Sequence, residues 1–410
     1  MFTFFRKGDI IILEILSGGD LVDRLVNYIK DTVRKADLIL LLLCLVATAF
    51  GCLAIASATN AEGTFRYVIV QIGAAFIGVF LFFIVSSVDS DFFSEHRSWL
   101  VGFNCFLLLL IIPFGTDNGT GNKSWLDIPL MPVQIQPAEI CKIAYVLVLA
   151  SVMASHQNRP SSFKSVAHLL LHVGLIVGLN MVLSRDLGVS LIFVFIFIGM
   201  AFAGGISLIW FAVAGGALVA ATPILWNFLE DYQKRRLQIL WDPTIDPEGI
   251  NERYHTLRSI RSLSGGGMTG QGLFQGNRTQ VLGALYAQHT DYIFSAIGEE
   301  LGYIGCAVAV ILLILIIARC IWVGMRSGDY MRRLICFGVA SSLIFQVISN
   351  VGMCIGLTPV IGLTLPFISY GGSSMVSLYA MIGLVSGVFA KPSPTSHERY
   401  IRPPYHLNPQ

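Results

Sequence analysis

The sequence predicts an all-α polytopic integral membrane protein of about ten transmembrane helices, with a large outer loop between helices 7 and 8. Three observations predict it. Charged residues make up 13% of the 410-residue chain and hydrophobic residues 55%, where a soluble domain carries about 25% charge. Mean hydropathy is +0.71. Apolar runs of bilayer-spanning length recur from end to end. The net charge of +2 is uninformative, because it averages over two sides of a membrane.

The spans fall at 37–58, 67–88, 98–114, 138–154, 166–184, 187–204, 206–228, 292–319, 334–356 and 370–390. Residues 1–36 read as a polar, partly amphipathic cytoplasmic lead-in. Their early run Ile10–Leu16 is short, is interrupted by Glu14 and lacks a small-residue cleavage site, so no cleavable signal peptide is expected. Arg24, Lys30, Arg34 and Lys35 precede the first span. Arg159 and Lys164 follow the fourth, Arg319, Arg326, Arg332 and Arg333 the eighth, and Lys391, Arg399 and Arg402 the tenth. Ten spans put all of these on one side, which is the cytoplasmic side, together with both termini. The chain then divides into spans 1–7 over residues 37–228, an extracytoplasmic loop over 229–291, spans 8–10 over 292–390, and a polar cytoplasmic tail over 391–410.

The outer loop carries Lys234, Arg235, Arg236, Arg253, Arg258, Arg261 and Arg278, beside Asp242, Asp246, Glu248 and Glu252. It reads either as a solvated surface held by ion pairs or as an anion-binding surface. Its stretch "SGGGMTGQG", residues 264–272, permits close backbone approach to a ligand but is weak evidence alone. The eight cysteines lie in or at the ends of apolar runs, without ligand spacing, and read as small buried residues.

Ionisable groups within spans are functional candidates. Glu139 and Lys142, at i and i+3, share a face of the fourth span and can pair. Asp186, in the hairpin between spans 5 and 6, reads as a solvated turn or a helix cap. His168 and His172 share a helix face. Asp291 precedes an apolar run that is long enough to span from Leu301 onward, so residues 291–300 read as an outer half-turn or interfacial helix. Partly shielded by Tyr292, Ile293 and Phe294, Asp291 suits a base of raised pKa, or a ligand for a divalent cation. Glu299 and Glu300 are explained by the helix macrodipole. Residues 356–374, with two prolines and paired glycines, predict a re-entrant loop near 229–291.

Five ordered blocks carry a family likeness: "QPAEICKIA", "RDLGVS", "RRLQILWDPTIDPEG", "QHTDYIFSAIGEELG" and "NVGMCIGLTPVIGLTLPFISYGGSS". Over residues 37–390 the chain resembles the SEDS family (shape, elongation, division and sporulation: RodA, FtsW, SpoVE). It departs from the family where "GNKSW" places Ser124, beside Lys123, at the usual arginine, where Ala287-Gln288 replaces Pro-Glu, and where Tyr292 replaces Phe. The resemblance implies a peptidoglycan glycosyltransferase that polymerises lipid II on the outer face of the bacterial cytoplasmic membrane, with a class B penicillin-binding protein as partner. It nominates Asp291 as catalytic, and Glu139, Lys142, Asp186, Arg236, His289, Ser369, Tyr370 and Gly371 as substrate-binding. A divalent cation, magnesium or manganese, is a candidate cofactor. "LFQGNRTQ" leans towards the RodA, elongation branch. A lipid II transporter and a non-catalytic scaffold for the penicillin-binding protein are the alternatives.

Overall fold

The computed structural model describes residues 27, 30–116, 122–127, 134–229, 231–246 and 253–391. The run Ile10–Leu16, most of the N-terminal lead-in, and the tail from 392 onward lie outside the described residues, as do Glu248 and Glu252.

The apolar runs form helices because each backbone group in a lipid core must be bonded within its own segment. They are α1 (Leu38–Ala58), α2 (Arg66–Ser87), α3 (Arg97–Leu109, prolonged by Ile111–Phe114), α4 (Pro137–Ser155), α5 (Phe163–Leu183), α6 (Leu187–Ala203) and α7 (Leu208–Phe228). The 229–291 segment carries two helices, α8 (Asp231–Trp241) and α9 (Tyr254–Gly266), and runs without regular structure from Gly267 to Asp291. Then come α10 (Ile293–Arg326), α11 (Tyr330–Cys354) and α12 (Gly372–Phe389). Eight of the ten apolar helices are long and apolar enough to cross a membrane, while Leu187–Ala203 and Leu208–Ile224 are shorter. A two-residue hairpin pairs Gly115–Thr116 with Trp125–Leu126. The protein is an all-α, multi-pass membrane protein. Its eight cysteines are free.

Two buried layers hold the bundle. In one, α12 lies along α2, where a Cβ at Gly383 would stand 2.8 Å from the Phe82 carbonyl oxygen. Small residues let two backbones approach, which replaces the hydrophobic drive that lipid cannot supply. Ser86 and Ser386 share a hydrogen bond of 3.0 Å across this seam. In the other layer, α11 packs on α4, α6 and α10, and α9 lies against α10. α7 stands apart, with only slight contact to other described elements. Trp210 Nε1 donates to the Ser161 carbonyl at 2.9 Å, but Leu208, Ile209, Val213, Leu218 and Val219 are exposed.

α10 departs from its expected course. It continues to Arg326, past the expected end near 319, and it breaks at Gly302 (φ 68°, ψ −164°). The break orphans the Glu299 and Glu300 carbonyls and the Tyr303 and Ile304 N–H groups. The glycine-rich loop satisfies all four. Gln271 N donates to Glu299 O (3.0 Å) and Gly272 N to Glu300 O (3.0 Å). In turn Tyr303 N donates to Gly267 O (2.9 Å) and Ile304 N to Met268 O (3.2 Å). Gly270, at φ +81°, lies against the Glu300 backbone, where a Cβ would collide. The glycines therefore serve close packing against a broken helix.

The two glutamates correct the macrodipole reading. Both are buried. Glu299 accepts from Arg278 N (2.8 Å) and Thr279 N (3.2 Å). Glu300 accepts from Thr279 Oγ1 (2.6 Å), Gln280 Nε2 (2.8 Å), Phe274 N (3.2 Å) and Ser57 Oγ. They are the anchors of residues 271–280, and their charge is offset by donors rather than by water.

Candidate active site

Asp291 ends a loop that two side chains and one backbone N–H hold by its carbonyls. Asn350 Nδ2 donates to Asp291 O (2.8 Å) and to Leu363 O (2.7 Å), tying α11 to both the loop and the 355–371 connection. Ser369 Oγ donates to Thr290 O (2.7 Å), and Tyr370 N donates to His289 O (2.8 Å). Gln71, alone and buried within apolar α2, donates to Ser369 O (2.9 Å) and accepts from Gly371 N (3.1 Å). Ser369, Tyr370 and Gly371 are thus brought together with His289 and Asp291, and their backbone and hydroxyl contacts set where the loop stands.

The Asp291 carboxylate itself has no hydrogen-bond partner among the described residues. It faces Gly362, whose Cβ position lies 3.7 Å from Asp291 Oδ2. Burial, and then the charge of Asp186, push its pKa up to about 6. Asp186 lies across the same segment: a Cβ on Gly188 would meet Ile361 O and, at 3.4 Å, Asp186 Oδ1. The two acids therefore flank residues 361–363.

Asp186 is the N-cap of α6, through Val189 N (3.0 Å). It is no solvated turn. Ser124 Oγ donates to its Oδ2 at 3.0 Å, and Gln136 Nε2 lies 3.5 Å from the same oxygen. Burial raises its pKa, against the hydrogen bonds from Val189 and Ser124, and the Glu139 charge raises it further. Asn180 fixes the hairpin through Asp186 O (3.0 Å) and Ser190 Oγ (2.8 Å). Ser124 is buried and bonded, whereas Lys123 is exposed.

Glu139 and Lys142 pair at 2.8 Å, and Ser377 Oγ from α12 donates to Glu139 Oε2 at 2.7 Å. Lys142 is 0% exposed. This trio closes the interior below Asp186. Arg236, on α8, donates Nη1 to Val360 O at 2.9 Å, two residues from Gly362. The expected cation thus reaches the 355–371 connection. Three of the four non-glycine residues with positive φ lie around this site, Arg185, Ala287 and Phe367. Backbone held in that region is a strain that surrounding contacts must maintain.

The His168 and His172 rings lie 4.9 Å apart, tilted by 55°, with His156 edge-on 5.4 Å from His168, on α5 and at the end of α4. Among the described residues no group of three or more His, Cys, Asp or Glu could hold a metal ion. Asp186 and Asp291, on either side of residues 361–363, are the carboxylates that would contribute to a magnesium or manganese ion shared with a substrate's phosphates, a mode that asks for one or two protein carboxylates.

Sequence reasoning passed over Gln71, Asn180 and Asn350, for which lone amides inside apolar runs were the signal. Ser124 was marked only as standing at the family's usual arginine, and its bond to Asp186 had no sequence signal, because only the fold brings residue 124 to residue 186.

A family model described as cell cycle protein, for FtsW, RodA and SpoVE, matches residues 36–393. The chain belongs to this FtsW/RodA/SpoVE family. The peptidoglycan glycosyltransferase MrdB of Escherichia coli strain K12 is 32% identical over 319 residues, 78% of this chain and 84% of that protein. The probable peptidoglycan glycosyltransferase FtsW of Thiomicrospira cyclica is 32% identical over 372 residues, 88% of this chain and 93% of that protein. Among solved structures, a chain of a peptidoglycan synthase complex that coordinates polymerization and crosslinking superposes with a TM-score of 0.72 and 28% identity, covering 86% of this chain and 97% of that one. The rod shape determining protein RodA of Thermus thermophilus superposes with a TM-score of 0.64 and 26% identity, over 86% of this chain and 96% of that one. Two of the blocks named above, around Asp291 and over 350–374, meet directly at the Asp291 loop.

Proposed function

We propose that this chain is a peptidoglycan glycosyltransferase, which polymerises lipid II into glycan strands for wall elongation and cell shape. The observation that carries the reading is the Asp291 carboxylate. It is fixed through its backbone, claimed by no donor among the described residues, and shifted to ionise at about 6. A group of that kind accepts a proton near neutral pH. The kinship with MrdB and FtsW supplies the substrate class.

The 4-hydroxyl of the acceptor's N-acetylglucosamine attacks C1 of the donor's N-acetylmuramic acid. Asp291 takes the hydroxyl proton as the new C1–O bond forms. The C1–O bond to undecaprenyl pyrophosphate breaks, and its electron pair leaves with the pyrophosphate. A single displacement inverts the anomeric centre. Arg236 is held at Val360, two residues from the glycine that faces Asp291, and its charge offsets that of the departing pyrophosphate. Asp186, Ser124 and the Glu139–Lys142–Ser377 trio hold the interior wall of the site. A transporter needs its intramembrane charges within reach of both faces, and Lys142 is fully enclosed.

The same reading places the chain in the bacterial cytoplasmic membrane, with both termini and the clustered arginines inside and Asp291 at the outer face. The partner is a class B penicillin-binding protein, supported by the likeness to a synthase complex that couples polymerization to crosslinking.

The test is strand synthesis from labelled lipid II by the purified chain with such a partner, with and without magnesium or manganese. Wild type makes strands, and Asp291→Asn loses at least about 100-fold, the usual size of a general-base contribution. Equal synthesis by both would remove Asp291 from the chemistry. A metal effect confined to the wild type would reassign Asp291 from base to metal ligand.

A further inference from the structure

Beside the catalytic loop stands an aromatic cluster that the reaction has not yet used. Tyr67, at the start of α2, lies with its ring centroid 4.4 Å from that of His289 and 5.0 Å from that of Tyr370. The His289 and Tyr370 rings are 5.7 Å apart. All three are half-buried, so each ring keeps a part of its surface open. His289 Nδ1 is enclosed and has no hydrogen-bond partner among the described residues. Glu62 and Arg66 are the charged groups that act on Tyr67, and Glu62 also acts on His289. Both are exposed.

We propose that Tyr67, His289 and Tyr370 form the subsite for the acceptor sugar. An aromatic face is electron-rich and attracts the C–H face of a pyranose ring, while the sugar's hydroxyl and amide groups need polar partners at the rim. The rings supply the first, and the exposed Glu62 and Arg66 the second. Which sugar they hold follows from the order of contacts along the 355–371 connection. Arg236 is bonded at Val360, the Asp291 carboxylate lies opposite Gly362, and the rings gather at Tyr370. A single displacement puts the nucleophile and the leaving group on opposite sides of C1. With Arg236 on the leaving-group side of Asp291, the rings fall on the acceptor side, where the base must receive its proton. This inference rests on the polymerase reading for the identity of the sugar, and adds a residue on α2 that no motif contains.

The test is saturation-transfer NMR on the purified full chain, with the lipid-free disaccharide pentapeptide as probe and irradiation of the aromatic protons. Wild type and Tyr67→Phe pass saturation to the N-acetylglucosamine ring protons. Tyr67→Leu, matched to wild type in melting temperature, binds the probe about tenfold more weakly, the scale of one aromatic contact. Binding of the Leu variant within twofold of wild type overturns the subsite. If the Leu variant does not fold, the wild-type pattern alone decides: saturation on the pentapeptide or the N-acetylmuramic acid, and none on N-acetylglucosamine, overturns it. Strand synthesis is measured on the same preparation. Sugar contact without strands would remove the polymerase reading and keep the subsite, and strands without sugar contact would do the reverse.

Discussion

A carboxylate that nothing neutralises costs stability in its charged form. The folded pKa of Asp291, about 6, lies above its ordinary value of 3.8, through burial first and the Asp186 charge second. The folded protein therefore holds the proton more tightly than the unfolded chain. The stability this confers is fully present below pH 3.8 and is lost as pH rises through 6. The loss is less than about 3 kcal/mol, because part of the carboxylate meets water. Asp291→Asn should thus raise the melting temperature above pH 6 and leave it unchanged near pH 4, as calorimetry in detergent would read. The activity has the opposite sign. The rate constant kcat/KM for strand synthesis should fall as pH drops through about 6, and Asp186→Asn should move that limb to lower pH by removing a like charge. Asp291 was legible in the sequence as a lone acid at the brink of an apolar run. Asp186 was legible as a candidate too, but its pairing with Asp291 was not, since the two lie 105 positions apart and only the hairpin at Arg185 and the turn at Gly362 bring them to one segment.

At the scale of elements, the break in α10 is the feature that composition could not disclose. Glu299 and Glu300 looked like ordinary first-turn acids because a sequence does not show which side chains will donate to them. The loop over 264–280 supplies those donors only after it has wrapped the break. Gly270→Ala tests this. At φ +81° and against the Glu300 backbone, an added Cβ forces the loop off the helix. It should lower stability by more than the ~1–2 kcal/mol of the backbone conformation itself and speed proteolysis within the loop. Gly267→Ala, at φ +56° with nothing within 4 Å, is the control and should show the backbone cost alone. Equal proteolysis in the two would mean that the loop is not held by the break. The irregular 355–371 connection and its place beside the 229–291 segment, by contrast, were readable, because prolines and paired glycines interrupt an apolar run there.

Across the whole molecule, the apolar runs marked where helices lie, and the arginine-rich ends are the ground for expecting them to share the cytoplasmic side. Packing was not readable: nothing in the apolar composition of α7 separates it from α6, yet α6 is gripped by α11 while α7 is left largely to lipid. Orientation has a direct test. Arg261 and Gln157 are exposed at opposite ends of the chain's expected topology. A membrane-impermeant maleimide should label Arg261→Cys in intact cells and Gln157→Cys only after lysis. The reverse pattern would place Asp291 in the cytoplasm, away from any wall. The grip of Gln71 carries a mechanical corollary. One amide on a lipid-facing rod, flanked outward by Ile69, Ile72, Phe76 and Phe80, holds the segment that in turn holds His289 and Asp291. Rods in a bilayer lean as its thickness changes. The alignment of the reacting groups is therefore coupled to the leaflet around them, and a bilayer too thin or too thick detunes the site without touching a single residue in it.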